Sequence, residues 1–315
     1  MRLSIRLLIA FLILTASTRS FAQYTDVDPR TLPAQVGAQE SIVQTSPGNN
    51  DSREWLKFAV LLQDAGMYRE SEDAYRHTIG LLREPDPLTV ADIFDHMGTM
   101  YIESGQFSKA DPVERHALTI REHQHDLLGT GVSHMHLAML LLGQNELNSA
   151  ETEAQSAVNL LVPEYAHLAG VSSATPEEKM TALVDLALVQ AASGASRTSI
   201  SALHWALQIA QKNYPDNSFP VGYINFLLGY ARWKSGNLND GGALMSQGVR
   251  QLSTQVGWGH PTYLRTLRQY RAFLMETKQR DKIQQISAEI RRLDSSRNSF
   301  ALASENVTTV QDLPR

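Results

Sequence analysis

The chain has 315 residues, of which 43% are hydrophobic and 19% are charged, and its formal net charge is −5. This length and composition fit one or two globular domains or one elongated array, and the acidic balance excludes a global basic field that could hold nucleic acid. The chain contains no cysteine, which excludes disulfides, cysteine-ligated metal and a thiol nucleophile.

Residues 1–22 have the features of a secretory signal peptide. Arg2 and Arg6 form a charged start, residues 7–14 are an uncharged apolar run, and a Ser-Phe-Ala junction follows. The sequence therefore predicts cleavage before Gln23 and a periplasmic or secreted mature chain. A retained membrane anchor is the less favoured alternative, because the apolar run is about half of the roughly 20 residues that span a bilayer.

Two polar segments flank the centre of the chain. Residues 23–50 contain three prolines and many small polar residues, which is typical of a flexible linker. Residues 295–315 are also polar and unpatterned, and they predict a disordered tail. Residues 51–294, which lie between them, predict helix almost throughout.

The central region consists of repeated units, and each unit is centred on one turn residue. Small residues follow five and twelve positions after each of the first five turns, and the residues two positions after those turns are Tyr68, Phe107, Leu147, Ser196 and Leu238. Another small residue precedes each of these turns by seven positions. The turn residues are Gly66, Gly105, Asn145, Gly194, Gly236 and, in a degenerate last unit, Lys278.

This pattern predicts stacked pairs of antiparallel helices. Small side chains let two helix backbones approach closely, while larger apolar residues fill the remaining space. Glycine at the turn can take the positive φ that ends a helix. One pair cannot bury its outer faces, so consecutive pairs are expected to stack into a solenoid.

The second unit resembles the tetratricopeptide repeat. Residues at that family's signature positions are Met97-Gly98, Tyr101, Gly105, Phe107, Ala110 and Ala117. The turns are 39, 40, 49, 42 and 42 residues apart, against about 34 in the common form. This is similar to the long-repeat variant found in kinesin light chains and in exported bacterial repeat proteins. The resemblance implies an all-α, right-handed superhelical solenoid of about six antiparallel helix pairs.

Two further segments bear on the repeat. Residues 257–261, Gly-Trp-Gly-His-Pro, are similar to the Gly-x-x-His-Pro loop of the long-repeat variant. The widest spacing has a local cause, because Thr175-Pro176-Glu177-Glu178 predicts a helix start closed by a capping box. The preceding helix is expected to stop before Pro163, which makes residues 163–174 an inserted loop.

The search for catalytic motifs is negative. The sequence has no His-Glu-x-x-His, no Gly-x-x-x-x-Gly-Lys and no Gly-x-Gly-x-x-Gly after a strand. Residues 170–174, Gly-Val-Ser-Ser-Ala, are similar to the Gly-x-Ser-x-Gly nucleophile elbow. The last residue is alanine instead of glycine, however, and no strand is predicted before the segment. We therefore expect neither enzymatic activity nor a cofactor.

Histidine is unevenly distributed, since six of the ten lie between His96 and His136. Residues two apart on a helix point about 200° apart, so His134 and His136 cannot share an ion there. His123 and Asp126 have usable spacing, but two ligands make a poor site. The sequence predicts no metal site and a solvated or hydrogen-bonded surface, with metal binding and pH sensing as alternatives.

The resemblance implies that the first helix of each pair lines a concave groove. Its middle is apolar, and its fifth unit is aromatic; the expected partner-binding residues there and in the last unit are Tyr223, Phe226, Tyr230, Trp233, Arg265 and Arg268. Aromatic residues beside arginine suit an apolar or amphipathic protein segment with acidic side chains. The alternative is that the aromatic rings pack against neighbouring helices.

These observations predict an exported protein–protein interaction scaffold with a protein or peptide partner. A structural accessory subunit of an envelope assembly or secretion complex is the first alternative. An enzyme or metal-dependent protein built on a helical array is the second. Nucleic acid and stable membrane insertion after signal removal are not expected.

Overall fold

The computed structural model describes residues 31–45, 51–170, 172–255 and 261–304, and this part of the chain forms thirteen α-helices and no strand. In chain order the helices are α1 (Leu32–Thr45), α2 (Ser52–Asp64), α3 (Tyr68–Leu81), α4 (Pro87–Glu103), α5 (Phe107–His123), α6 (Leu127–Gly143), α7 (Leu147–Leu161), α8 (Pro176–Ser193), α9 (Ser196–Asn213), α10 (Phe219–Lys234), α11 (Leu238–Gln255), α12 (Pro261–Glu276) and α13 (Arg280–Ser304). The all-α prediction is confirmed.

From α2 onward the helices pack in consecutive pairs. The pairs are α2/α3, α4/α5, α6/α7, α8/α9, α10/α11 and α12/α13, and the second helix of each pair also packs on the first helix of the next. The first helices α2, α4, α6 and α8 contact one another in that order. Each inner pair therefore packs between its neighbours in the chain, which is the arrangement of a tetratricopeptide-like solenoid.

The turn inside each pair has one backbone conformation. All six predicted turn residues have positive φ, at 75°, 74°, 62°, 86°, 95° and 58° for Gly66, Gly105, Asn145, Gly194, Gly236 and Lys278. The second helix begins two residues after each of them. The repeat register read from the sequence is thus confirmed in every unit, including the degenerate last one.

Close helix contact is clearest between α10 and α11. A Cβ added to Gly229 would lie 2.6 Å from the backbone nitrogen of Met245 and 2.8 Å from the carbonyl oxygen of Gly241. A Cβ added to Gly248 would lie 2.6 Å from the carbonyl oxygen of Gly222. Backbone faces backbone along this pair, which confirms the packing role predicted for the small positions.

The inserted segment runs from the end of α7 at Leu161 to the start of α8 at Pro176, and the structure describes it apart from residue 171. Thr175 Oγ1 accepts a bond from the Glu178 backbone N–H at 3.2 Å, and Glu178 Oε2 accepts one from the Thr175 N–H at 2.7 Å. The predicted capping box is therefore confirmed. Tyr165 packs edge-on against Trp205 of α9, with ring centroids 5.7 Å apart, so the loop is attached to the array.

The predicted linker and tail need correction. Residues 32–45 of the linker form α1, whose buried positions Leu32, Val36, Gln39 and Val43 follow helical spacing. Gln39 Nε2 donates to Glu54 Oε2 at 2.8 Å and to the Glu54 carbonyl oxygen at 3.1 Å, which attaches α1 to α2. At the other end, α13 continues to Ser304, past the predicted boundary at 294.

Some sequence predictions fall on other parts of the chain. The signal peptide at 1–22, the rest of the linker apart from 31–45, residues 257–260 of the loop motif and residues 305–315 of the tail lie outside the described residues. Among the helices that are described, none combines the length and the apolar character needed to cross a bilayer.

Candidate functional site

Three of the four predicted aromatic residues are buried. Tyr223, Phe226 and Trp233 are only 6%, 0% and 6% exposed. Trp233 packs edge-on against Phe273 of α12 at 5.5 Å between ring centroids, so it joins the fifth pair to the sixth. These three rings pack in the helical core, which is the alternative to partner binding that the sequence left open for the aromatic residues.

The rest of the predicted set lies nearer to solvent. Tyr230 is half-buried, and burial raises its pKa to about 12. The Lys234 ammonium lies 3.6 Å from the Trp233 ring centroid and 5.6 Å from that of Tyr230; burial lowers the pKa of Lys234. Arg268 is exposed and its Nη2 bonds Asp294 at 2.9 Å.

Arg265 is half-buried, one turn before Arg268 on α12. Burial raises the pKa of Tyr223 to about 12, while the positive charge of Arg265 opposes that shift. Tyr230, Lys234, Arg265 and Arg268 are called the fifth-pair surface below. Tyr230 and Lys234 lie on α10, Arg265 and Arg268 lie on α12, and these two first helices meet where Trp233 packs against Phe273.

A separate groove lies between α3 and the second pair, with a volume of about 690 Å³. Its apolar lining comes from Ile79, Phe94, Met97, Pro112 and Val113. Two cations, those of Arg76 and Lys109, also line it, and each bonds a Glu72 oxygen at 2.9 Å. One carboxylate, that of Glu72, therefore pairs with both cations of this groove.

The interior between α4, α5 and α6 holds a cluster of charged side chains. Asp95, Glu114 and His136 each contribute one atom to a group whose members all lie within 4.8 Å of one another. The His136 Nδ1 atom lies 3.3 Å from Glu114 Oε2 and 3.6 Å from Asp95 Oδ1. Arg121 bonds the other oxygen of Asp95 through Nη2. In the part of the chain that the structure describes, this is the one such grouping of potential metal ligands.

Burial and the neighbouring charges act in opposite directions on the pKa values of this cluster. Removal from water raises the pKa of Glu114 to about 7, although the positive charge of His136 opposes the shift. Burial lowers the pKa of His136, but the neighbouring Glu114 and Asp95 carboxylates raise it by more than burial lowers it, and the pKa is about 10. Glu114 and His136 lie close enough that the loss of a proton from one changes the pKa of the other.

Gly98 makes room for Glu114. A Cβ at position 98 would lie 2.7 Å from Glu114 Cγ, and the carboxylate would be closer still. In this unit the small position therefore accommodates a charged side chain, whereas at Gly229 it accommodates a helix backbone. The carboxylate of Glu114 is fully buried as a result.

The sequence held a signal for this cluster that motif reasoning missed. Ten residues before the turn, the five complete units have Leu56, Asp95, Met135, Val184 and Phe226. Nine residues after it they have Tyr75, Glu114, Ala154, Leu203 and Met245, and sixteen after it Leu82, Arg121, Leu161, Ala210 and Leu252. Only the second unit places charges at these core positions, and comparing units would have found them.

Comparison with solved structures places the fold among tetratricopeptide-like proteins. BtubC (BKLC) from P. vanneervenii is 17% identical, with a TM-score of 0.54 over 73% of this chain and 92% of that one. A kinesin light chain-like protein of nearly identical TPR-like repeats from Podosopora anserina is 15% identical, with a TM-score of 0.50 over 67% and 97% of the two chains.

A Rap protein solved in complex with Competence and Sporulation Factor is 10% identical, with a TM-score of 0.60 over 97% of this chain and 78% of that one. The sequence matches no family model and no curated protein. At these identities the likeness concerns the fold.

Proposed function

We propose that this chain is an exported scaffold that binds another protein through the fifth-pair surface. The observation that carries the proposal is the composition of that surface: a half-buried tyrosine and three cations at one end of a long helical stack. Tyrosine, tryptophan and arginine are the residues that dominate binding energy at protein interfaces. Binding is favoured over catalysis because the sequence carries no catalytic motif and a solenoid offers extended surface.

The chemistry of the surface supports one class of partner. Lys234, Arg265 and Arg268 favour acidic side chains, and the tyrosine ring favours apolar ones. We therefore infer an amphipathic segment with acidic residues. The apolar part of the segment would contact Tyr230, and its carboxylates would compete with Asp294 for Arg268. The structure of a Rap protein with Competence and Sporulation Factor gives a precedent for ligand binding by a related fold.

Site-specific photo-crosslinking tests the surface directly. A photoreactive residue at position 268 should capture one partner from an envelope extract, and Tyr230→Ala should abolish that capture while the protein stays helical. A photoreactive residue at Lys212, exposed on the second helix of the fourth pair, is the control and should give no such adduct. The partner's crosslinked peptide should be amphipathic and acidic.

The same experiment distinguishes binding at the fifth-pair surface from binding at the groove between α3 and the second pair. Phe94→Ala alters the groove between α3 and the second pair and leaves the fifth-pair surface unchanged. If Phe94→Ala abolishes capture and Tyr230→Ala does not, the partner binds the other groove and our assignment is wrong. Equal capture by the wild type and by Tyr230→Ala would also overturn it.

Export is tested separately. The signal-peptide pattern supports a mature chain that begins at Gln23. N-terminal sequencing of protein recovered from the periplasmic or culture fraction should read Gln-Tyr-Thr. A membrane-bound chain that still carries residues 1–22 would contradict this part of the proposal.

A further inference from the structure

The charged cluster in the second unit replaces core residues of the repeat, and its composition requires an explanation. Burying ionised groups costs several kcal/mol each unless partners compensate for the lost water. The other four complete units show that apolar residues fill the equivalent positions without difficulty. Packing alone therefore does not account for Asp95, Glu114 and Arg121.

Arginine balances only part of the negative charge. Arg121 bonds two carboxylates through Nη2 and lies 3.7 Å from a third through Nη1. With all carboxylates ionised and the histidine protonated, the cluster still carries two more negative than positive charges; its members are Asp92, Asp95, Glu114, Arg121, Asp126 and His136. Because His136 must lose its proton to solvent before it can bind a metal ion, this excess becomes three, and a divalent cation reduces it to one.

Hydrogen bonds do not use the inner atoms of the cluster. Neither oxygen of Glu114 has a hydrogen-bond partner among the described residues, and the Nδ1 atom of His136 has none there either. Glu114 is 0% exposed. A buried carboxylate without hydrogen bonds is costly. Its Oε2 lies 3.3 Å from the His136 Nδ1 atom, a distance that is long for a charge-assisted hydrogen bond.

The same distances suit a shared metal ion. Ligand atoms about 2.1 Å from a tetrahedral Zn²⁺ lie about 3.4 Å from one another. His136 Nδ1 lies 3.3 Å from Glu114 Oε2 and 3.6 Å from Asp95 Oδ1. The three side chains come from three helices in two adjacent pairs, and the His136 side chain, 13% exposed, connects the cluster to solvent.

We infer that Asp95, Glu114 and His136 bind a divalent transition metal ion, Zn²⁺ or an ion of similar preference. Two carboxylates and one imidazole form an oxygen- and nitrogen-donor set that such ions accept. Three protein ligands leave a fourth position for water. Arg121 and Ser133, whose Oγ lies 3.4 Å from Asp95 Oδ1, orient the Asp95 carboxylate from behind. The ion links α4, α5 and α6 regardless of what the scaffold binds.

Sequence motifs could not show this site because its ligands are far apart in the chain. His134 is not one of these ligands, because its Nδ1 atom lies 2.6 Å from Glu153 Oε2, outside the cluster. The site instead combines one histidine with carboxylates from two preceding helices.

Isothermal titration of chelator-treated protein with ZnCl₂ tests the inference. The wild type should bind one equivalent of Zn²⁺. At a concentration 100-fold above Kd, the ion should raise the melting temperature by about 5–10 °C. Glu114→Gln and His136→Gln should each weaken binding by at least about 100-fold, beyond the 10–100-fold that loss of a supporting partner costs. His134→Gln, two residues away on the same helix, is the matched control and should bind as the wild type does.

A spectroscopic measurement on the wild type covers the case in which a variant fails to fold. Co²⁺ in a four-coordinate nitrogen and oxygen site absorbs visible light strongly, whereas hydrated Co²⁺ does not. Titration should give this absorption with an end point at one equivalent, and Zn²⁺ should remove it. No Zn²⁺ binding and no Co²⁺ band in the wild type would overturn the inference, as would equal Zn²⁺ affinity in the wild type and in folded Glu114→Gln. The cluster would then be a buried ion network alone.

Discussion

Replacing Gly229 with alanine is expected to lower stability, although alanine is the better helix former. The added Cβ would lie 2.6 Å from Met245 N and 2.8 Å from the Gly241 carbonyl oxygen, where ordinary contact begins at 3.4 Å. Both atoms belong to the backbone of α11, so no side-chain rotation relieves the contact. The two helices must separate by roughly 0.6–0.8 Å, enough to lose a quarter or more of the dispersion energy across the contact.

The magnitude follows from two opposing terms. Overpacking costs about 1–3 kcal/mol, and the backbone contact places Gly229 at the upper end. Helix propensity returns about 1 kcal/mol, which leaves a net loss of about 2 kcal/mol. In a chain of this size that loss lowers the melting temperature by about 4–8 °C.

Thermal and urea unfolding followed by circular dichroism measures this difference. Gly37→Ala is the matched control, because Gly37 lies inside α1 and no atom lies within 4 Å of its added Cβ. That change should be neutral or should stabilise by about 0.5–1 kcal/mol. If Gly229→Ala behaves as Gly37→Ala does, the close approach of α10 and α11 at this position is refuted.

Other substitutions test other features of the repeat. Gly105→Ala should cost about 1–2 kcal/mol in urea unfolding through its positive φ alone, because its added Cβ meets no atom within 4 Å. Lys278→Gly should do the reverse and raise the urea midpoint; an unchanged midpoint would argue against the left-handed turn there. Thr175→Ala should lose about 1 kcal/mol with the capping box, and an unaffected melting temperature would count against that cap. Gly98→Leu should destabilise by at least about 1–3 kcal/mol. Adding Glu114→Ala should recover part of that loss, and a double-mutant cycle with no coupling would show that the two residues do not touch.

Turns and helix boundaries were predictable because they depend on local chemistry. Positive φ favours glycine, and five units place a small or turn-forming residue at one spacing from the same neighbours. The capping box at Thr175 and the end of α7 follow from proline and from side-chain hydrogen bonds within four residues. Each of these features can be read from a few consecutive residues.

Helix α1 was missed because its buried stripe includes a glutamine. Leu32, Val36 and Val43 are apolar, but Gln39 between them is buried through its bonds to Glu54. A polar residue at a core position is satisfied only by a partner on another helix, and sequence periodicity does not reveal that partner.

The candidate sites were harder to predict for the same reason. The spacing of Tyr223, Phe226 and Trp233 places them on one helical face, but it does not show whether that face is exposed. Their burial depends on neighbouring helices such as α12. Asp95, Glu114 and His136 are separated in sequence by 19 and 22 residues, and only the stacking of two pairs brings them together. Exposure and charge clustering are properties of the assembled array.

The order of packing has a consequence for how the chain acquires its structure. Helices pair with the next helix in sequence, and each pair then packs on the one that follows it. Contacts of short sequence separation require little loop closure, which favours rapid folding. A pair can therefore form as soon as its second helix emerges from the ribosome. Each later pair then packs on the C-terminal side of the pairs that are already folded. We expect truncated chains that end at 161 or 213, after a complete pair, to retain helical structure, whereas chains that end at 143 or 193 leave an unpaired apolar helix and should aggregate.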